Sequence, residues 1–216
     1  MFSNALVWII MKILNFITSG DGLNPGDFES PPGHRARIGA TQEDLLETWK
    51  ILEVELQAWY CALPPNFTEC VRRTLALSDL TLGLDGHTET IDAILYTTPM
   101  CAVTVQTYHM ARILLLMNKP QESTAIRSTV TARIKSYREI SASALEHARA
   151  ICGISVGGLP DAARTHTVQP LFVAGQCLDR PGERQLVIGL LWDIERDLGW
   201  ATNYRVQDLF EQWSIE

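Results

Sequence analysis

The stretch Gln169 to Trp213 reads QPLFVAGQCLDRPGERQLVIGLLWDIERDLGWATNYRVQDLFEQW. Within it Val187, Leu190, Leu191, Ile194 and Leu198 share one face of a helical period, while Glu195, Arg196 and Asp197 fall largely opposite. Apolar residues at that period belong to an amphipathic helix that buries one side. Gly199 follows where a helix end requires a residue free to take positive φ, and Thr202 is placed to cap a last helix carrying Leu209, Phe210 and Trp213. The segment therefore predicts two amphipathic helices joined at a Gly-Trp corner.

Helical signals continue upstream. Thr41 followed by Asp44 approximates a capping box, and Leu45, Trp49, Leu52, Leu56, Trp59 or Tyr60, and Leu63 then form a stripe that Pro64-Pro65 stops. Each of these large side chains contributes roughly 1.5–3 kcal/mol on full burial, so the stripe needs a partner face inside the fold or across a subunit interface. A helix from about Thr90 to Asn118 is apolar on more than one side, as a central helix packed all round would be. Pro99 lies inside that span and must kink or restart it. A polar stretch from Gln121 to Lys135 leads to a helix from about Ser136 to Ser155, with Ile140, Ala144, Leu145, Ala148 and Ile151 inward. Val156 to Pro160 reads as a turn, and a helix through Val168 to Leu178 enters the C-terminal pair. No strand pattern and no internal repeat emerge. The fold class read here is all-α, a single irregular multi-helix domain.

The N-terminal part reads differently. Phe2 to Ile17 is apolar almost throughout, but Asn4, Lys12 and Asn15 interrupt it, and a spanning helix needs about 20 apolar residues. Lys12 at mid-run would cost roughly 2.5–3.5 kcal/mol on insertion. A cleavable signal would carry its positive charge before the apolar run rather than inside it, although Thr18, Ser19 and Gly20 are small enough for cleavage. A buried first helix over residues 1–18 is the preferred reading, with no membrane span expected. Residues 19–40, rich in Gly, Pro and Ser with no apolar period, read as a long exposed loop. Residues 41–216 form the helical body.

With 216 residues, of which 46% are hydrophobic and 20% charged, the chain is long enough to bury a sizeable core. Its formal net charge of −7 would repel a phosphate backbone. The cysteines, Cys61, Cys70, Cys101, Cys152 and Cys177, are odd in number and scattered through helix-like apolar contexts, which favours buried reduced thiols over a disulfide framework. They also lie too far apart for paired C-x2-C metal ligation.

Candidate chemistry is sparse. None of His34, His87, His109, His147 and His166 lies at the i, i+4 spacing of a helical metal site. His109 falls on the central helix and reads as a packed, hydrogen-bonded core histidine. The pairs Glu43/Asp44, Glu53/Glu55 and Asp193/Glu195 read as solvated helix surface, and Arg72-Arg73 as part of a solvated helix. Gly157-Gly158 lacks the Lys-Ser/Thr of a phosphate loop, and no G-x-S-x-G elbow occurs. Trp8, Trp49, Trp59, Trp192, Trp200 and Trp213 read mainly as core, each indole N–H seeking a polar partner. No catalytic residue, metal ligand or cofactor is expected, and cofactor-binding residues stay undefined.

Three strings in series carry a resemblance. They are W..L..EL..WY..LP..F from Trp49 to Phe67, YHMARILLLMNKP from Tyr108 to Pro120, and PL..AG.......ER..V...L..IE...GW.T from Pro170 onward, followed by L...W at Leu209 to Trp213. Together they resemble the fungal-specific transcription factor domain, the helical regulatory region C-terminal to binuclear zinc cluster modules, over roughly Thr41 to Trp213. The resemblance implies a non-enzymatic, nuclear transcription regulator, in the context of a nutrient or secondary-metabolite pathway. It would act through protein partners, as a homo- or heterodimer, or through a small-molecule effector held in a cavity beside the central helix. The six-cysteine zinc cluster of full members is missing from this sequence, so no direct DNA binding by this chain is expected. The alternative is a helical enzyme or metabolite-binding protein with a pocket of dispersed residues.

Overall fold

The structure, a computed structural model, describes residues 2–18, 38–80, 89–120 and 130–214. These are mostly helical, with one small antiparallel hairpin. In chain order they form α1 (Phe2–Thr18), α2 (Ile38–Cys61), β1 (Val71–Ala76), β2 (Thr90–Leu95), α3 (Pro99–Met117), α4 (Val130–Val156), α5 (Asp161–Arg164), α6 (Val168–Gly175), α7 (Pro181–Leu198) and α8 (Asn203–Trp213). Short 3-10 turns occur at Pro65–Phe67, Leu77–Asp79 and Thr165–Thr167. The expected loop at 19–40 and polar stretch at 121–135 lie largely outside the described residues. Where they are described, Ile38–Ala40 already belongs to α2 and Val130–Lys135 to α4. Thr41 consequently lies within α2 rather than capping it.

The chain packs as two compact units, Met1–Ala62 with Leu114–Ile140, and Leu63–Ile113 with Ser141–Glu216. In the first, α1 buries Leu6, Ile9, Ile10 and Ile13, the i, i+3, i+4, i+7 set of one face, while Val7, Trp8 and Met11 remain exposed. The α2 stripe is buried at Trp49, Leu52, Leu56 and Trp59. Burying an indole leaves an N–H to satisfy. Trp59 Nε1 donates to the Phe2 carbonyl at 3.1 Å, and Trp49 Nε1 to the Leu115 carbonyl at 2.6 Å. Lys12 reaches Glu55 at 2.7 Å. Because Phe2 meets the later part of α2 and Lys12 an earlier part, the two helices run antiparallel.

The second unit contains what the sequence reading missed. Residues 90–95 are not the start of the central helix but strand β2, paired antiparallel with β1, so that Val71 lies opposite Leu95 and Ala76 opposite Thr90. Arg72 and Arg73 belong to β1, not to a helix. Pro99 begins α3, where its missing N–H costs nothing. A core cluster of Ile94, Ala102, Val105 and Ile154 joins β2, α3 and α4. Two glycines allow the strand to lie directly on α4: a Cβ at Gly153 would overlap the Asp92 carbonyl, and one at Gly157 the Ile94 carbonyl. Gly158, at φ 87°, then turns the chain out of the helix.

At the C-terminal end α6, α7 and α8 pack together. Of the expected stripe, Val187, Leu191 and Ile194 are buried and Leu190 and Leu198 half-buried, while Leu186 and Ile188 are buried as well. Gly175 leaves no room for a side chain, since a Cβ there would stand 2.9 Å from Leu209 Cδ1 and 3.3 Å from Val187 Cγ1. Gly199 takes φ 69° and its N–H bonds the Glu195 carbonyl at 2.9 Å. α3 has the length and apolarity of a membrane-crossing helix, and 61% of it is buried inside the protein, as in a core helix.

Candidate functional site

α3 and α4 face each other along a polar seam in the second unit. Gln106, fully buried, donates from Nε2 to the Ile151 carbonyl at 3.0 Å and to Ser155 Oγ at 2.7 Å. Its Oε1 is buried without a partner. One turn along, His109 Nδ1 lies 2.9 Å from His147 Nδ1. Tyr108 stands edge-on to both rings, with centroids at 5.4 and 6.3 Å. Two imidazoles share one hydrogen bond at that separation only if one Nδ1 carries a proton and the other does not. The environment keeps both neutral. Burial, then His147, Arg72 and Arg112, push His109 down to about 3, and burial with Arg112 pushes His147 down to about 4.

His109 is thus hydrogen-bonded, as expected, but half-buried, and its partner, 38 positions away, could not be read from spacing. His166 is exposed, and His34 and His87 lie outside the described residues. No group of three or more His, Cys, Asp or Glu suited to a metal occurs among the described residues.

A second buried charge system sits where α7 begins. Glu183 is 3% exposed and accepts from Arg149 Nε at 2.6 Å, leaving its Oε2 unpaired. The Glu89 carboxylate abuts the backbone at Gly182, where any side chain would displace it. Carboxylates at the first turn of a helix are favoured by the helix dipole. Cys152 lies close enough to feel both charges. Its thiol is pushed up to about 12, by burial first and then by Glu183. A thiol held protonated is a packing group rather than a nucleophile.

The remaining candidates divide. Cys101 and Cys152 are buried and Cys177 partly so, but Cys61 and Cys70 are exposed, against the expectation of buried thiols. Trp49 and Trp59 are core, while Trp8, Trp192 and Trp200 are exposed. Glu43 and Asp44 are on the surface. Glu195 is not merely solvated: its Oε2 accepts the backbone N–H groups of Thr202 and Asn203, both at 2.7 Å. Thr202 does occupy the cap position of α8, yet its own side chain does not cap, because its hydroxyl donates to the Leu191 carbonyl at 2.7 Å. An open groove of about 510 Å³ runs along α2, lined by Glu47, Lys50, Ile51, Val54 and Glu55.

The recurring residues of the C-terminal string therefore have structural work. Gly175 admits Leu209, Glu183 holds Arg149, Glu195 caps α8 and Gly199 closes α7. Over 212 residues, 97% of its length, the chain is 39% identical to the transcription activator AMTR1 of Alternaria alternata. The chain is related to a fungal transcription activator. It spans 26% of that activator's length. No family model matches the chain, and no solved structure matches it.

Proposed function

We propose that this chain is a regulatory, non-enzymatic module of a fungal transcription regulator, belonging to the fungal-specific transcription factor domain and working in the nucleus through protein contacts or a small-molecule effector. The observation that carries this reading is the 39% identity to a transcription activator along nearly the whole chain. The geometry is consistent with it. The buried polar groups, Gln106, His109–His147 and Glu183–Arg149, hold helices together, and the most buried thiol is kept protonated. The five cysteines stand too far apart in sequence to form a zinc cluster, so contact with DNA would come from a separate module.

The test is a reporter assay. Fused to a heterologous DNA-binding domain in fungal cells, the chain should raise or lower transcription from the cognate promoter relative to that domain alone. An unchanged output from a stably expressed nuclear fusion overturns the reading.

A further inference from the structure

The hairpin has one closed edge and one open edge. In an antiparallel pair, alternate residues turn both backbone groups toward the partner strand and the others turn them away. Leu77 N–H bonds the Glu89 carbonyl at 2.9 Å, in the same register that sets Val71 opposite Leu95. Val71, Arg73 and Leu75 therefore face β2, and the backbone groups of Arg72, Thr74 and Ala76 point outward. The same alternation turns the Asp92 and Ile94 carbonyls of β2 away from β1, and those are the two carbonyls seated on Gly153 and Gly157 of α4. The helix thus seals the β2 edge. Along the β1 edge, Arg72, Thr74 and Ala76 have no outward backbone partner among the described residues. Val71, Arg72, Arg73 and Thr74 are exposed. Six residues of open strand offer about 20 Å of hydrogen-bonding edge.

We infer that this β1 edge docks an extended, acidic segment of a partner protein, which adds a third strand to the hairpin. Main-chain bonds to Arg72, Thr74 and Ala76 would supply the affinity, and alternate side chains the selectivity. Charge decides the kind of occupant. The chain as a whole carries −7, yet this strand carries two adjacent arginines. Arg72 is held by Glu69, just before β1, at 2.6 Å and by Asp92 of β2 at 3.6 Å, whereas Arg73 is exposed with no ion pair among the described residues. An acidic side chain on the guest strand can meet Arg73. A second copy of this chain offers no such group along its own β1 edge, since Val71–Ala76 contains no carboxylate.

The inference deepens the regulatory reading and rests on it for its biological sense, but the binding test is independent of reporter output. The probe is a fluorescent peptide of alternating Asp and Val, six residues long, titrated by anisotropy against the purified chain. It should bind, an alternating Lys and Val peptide should bind at least about tenfold more weakly, and R73E should remove the preference. Thr74→Pro deletes an outward N–H while sparing the β1–β2 ladder, as proline is tolerated on an edge strand. It should weaken binding about tenfold relative to Thr74→Ala, in line with loss of a hydrogen bond. Should Thr74→Pro unfold, the Asp/Val peptide methylated on alternate backbone nitrogens gives the same information. One methylation phase should abolish binding to the wild-type chain and the other leave it intact. No binding, equal binding of both charge types, or indifference to Thr74→Pro and to both methylation phases overturns the docking edge. An active reporter fusion alongside any of these results leaves the regulatory reading standing.

Discussion

Glu195 caps a helix other than its own: from the last turn of α7 its carboxylate takes the Thr202 N–H and the Asn203 N–H, both at 2.7 Å. These bonds hold its carboxyl below the usual glutamate range, the Thr202 backbone contributing most. The first N–H groups of α8, which have no partner within the helix, are thereby satisfied across the corner.

Glu195→Ala should therefore destabilise the protein, and Glu195→Gln by less, since an amide oxygen can still accept. Denaturant midpoints of the two variants provide the check.

The Arg149–Glu183 pair predicts an asymmetry. Arg149, with a side chain 36% exposed, can turn to solvent if Glu183 is removed, whereas Glu183 cannot if Arg149 is removed. Arg149→Ala should cost about 3–5 kcal/mol by stranding a buried carboxylate, and Glu183→Gln clearly less. Equal losses in urea unfolding would contradict this.

Acid should loosen the His109–His147 seam. Both histidines have native pKa values lowered from 6.5, so between about pH 6.5 and pH 3 the unfolded chain binds more protons than the native one. Stability then rises with pH across that window and is lost as pH falls. A loss of about 3 kcal/mol per histidine between pH 7 and pH 4 is expected. His147→Phe should flatten the pH dependence of the unfolding midpoint in that range.

Gly153→Ala should be costly even though alanine favours helices. Its methyl would displace the Asp92 carbonyl, and overpacking of that kind costs about 1–3 kcal/mol. Gly189→Ala is the control: nothing lies within 4 Å of a Cβ there, so the intrinsic helix preference should make it neutral or stabilising. The thermal midpoint should fall in the first variant and hold or rise in the second.

The helices were legible in proportion to how one-sided they are. α7 buries the Val187, Leu191, Ile194 stripe and ends in a glycine at positive φ, so that stripe and the helix end could be read, though not the buried Leu186 and Ile188 beside it. The hairpin was not legible. β2 buries Ile91 and Ala93 on one side and Ile94 on the other, which erases the alternation of a half-exposed strand, and it runs up to the apolar helix after Pro99. β1 is mostly exposed and shows no apolar pattern. Among the chemical groups, His109 was visible as a hydrogen-bonded residue of the central helix, but neither His147 nor Arg149 announced its partner. Each pairing joins residues more than 30 positions apart, and only the packing of α3 on α4 and of α7 on α4 brings them together.

The two glycines of α4 also act as a gauge between unlike lattices. Four residues of helix advance about 6.0 Å, and two residues of strand about 6.7 Å, so Gly153 and Gly157 meet Asp92 and Ile94 nearly in step. The mismatch grows with each further repeat, and such contact cannot be prolonged far in either direction. Inserting one residue between the glycines would swing the second away by about 100° and leave the strand facing a side chain. Spacing, more than the identity of the residues between, is what this junction must preserve in any relative that keeps the hairpin.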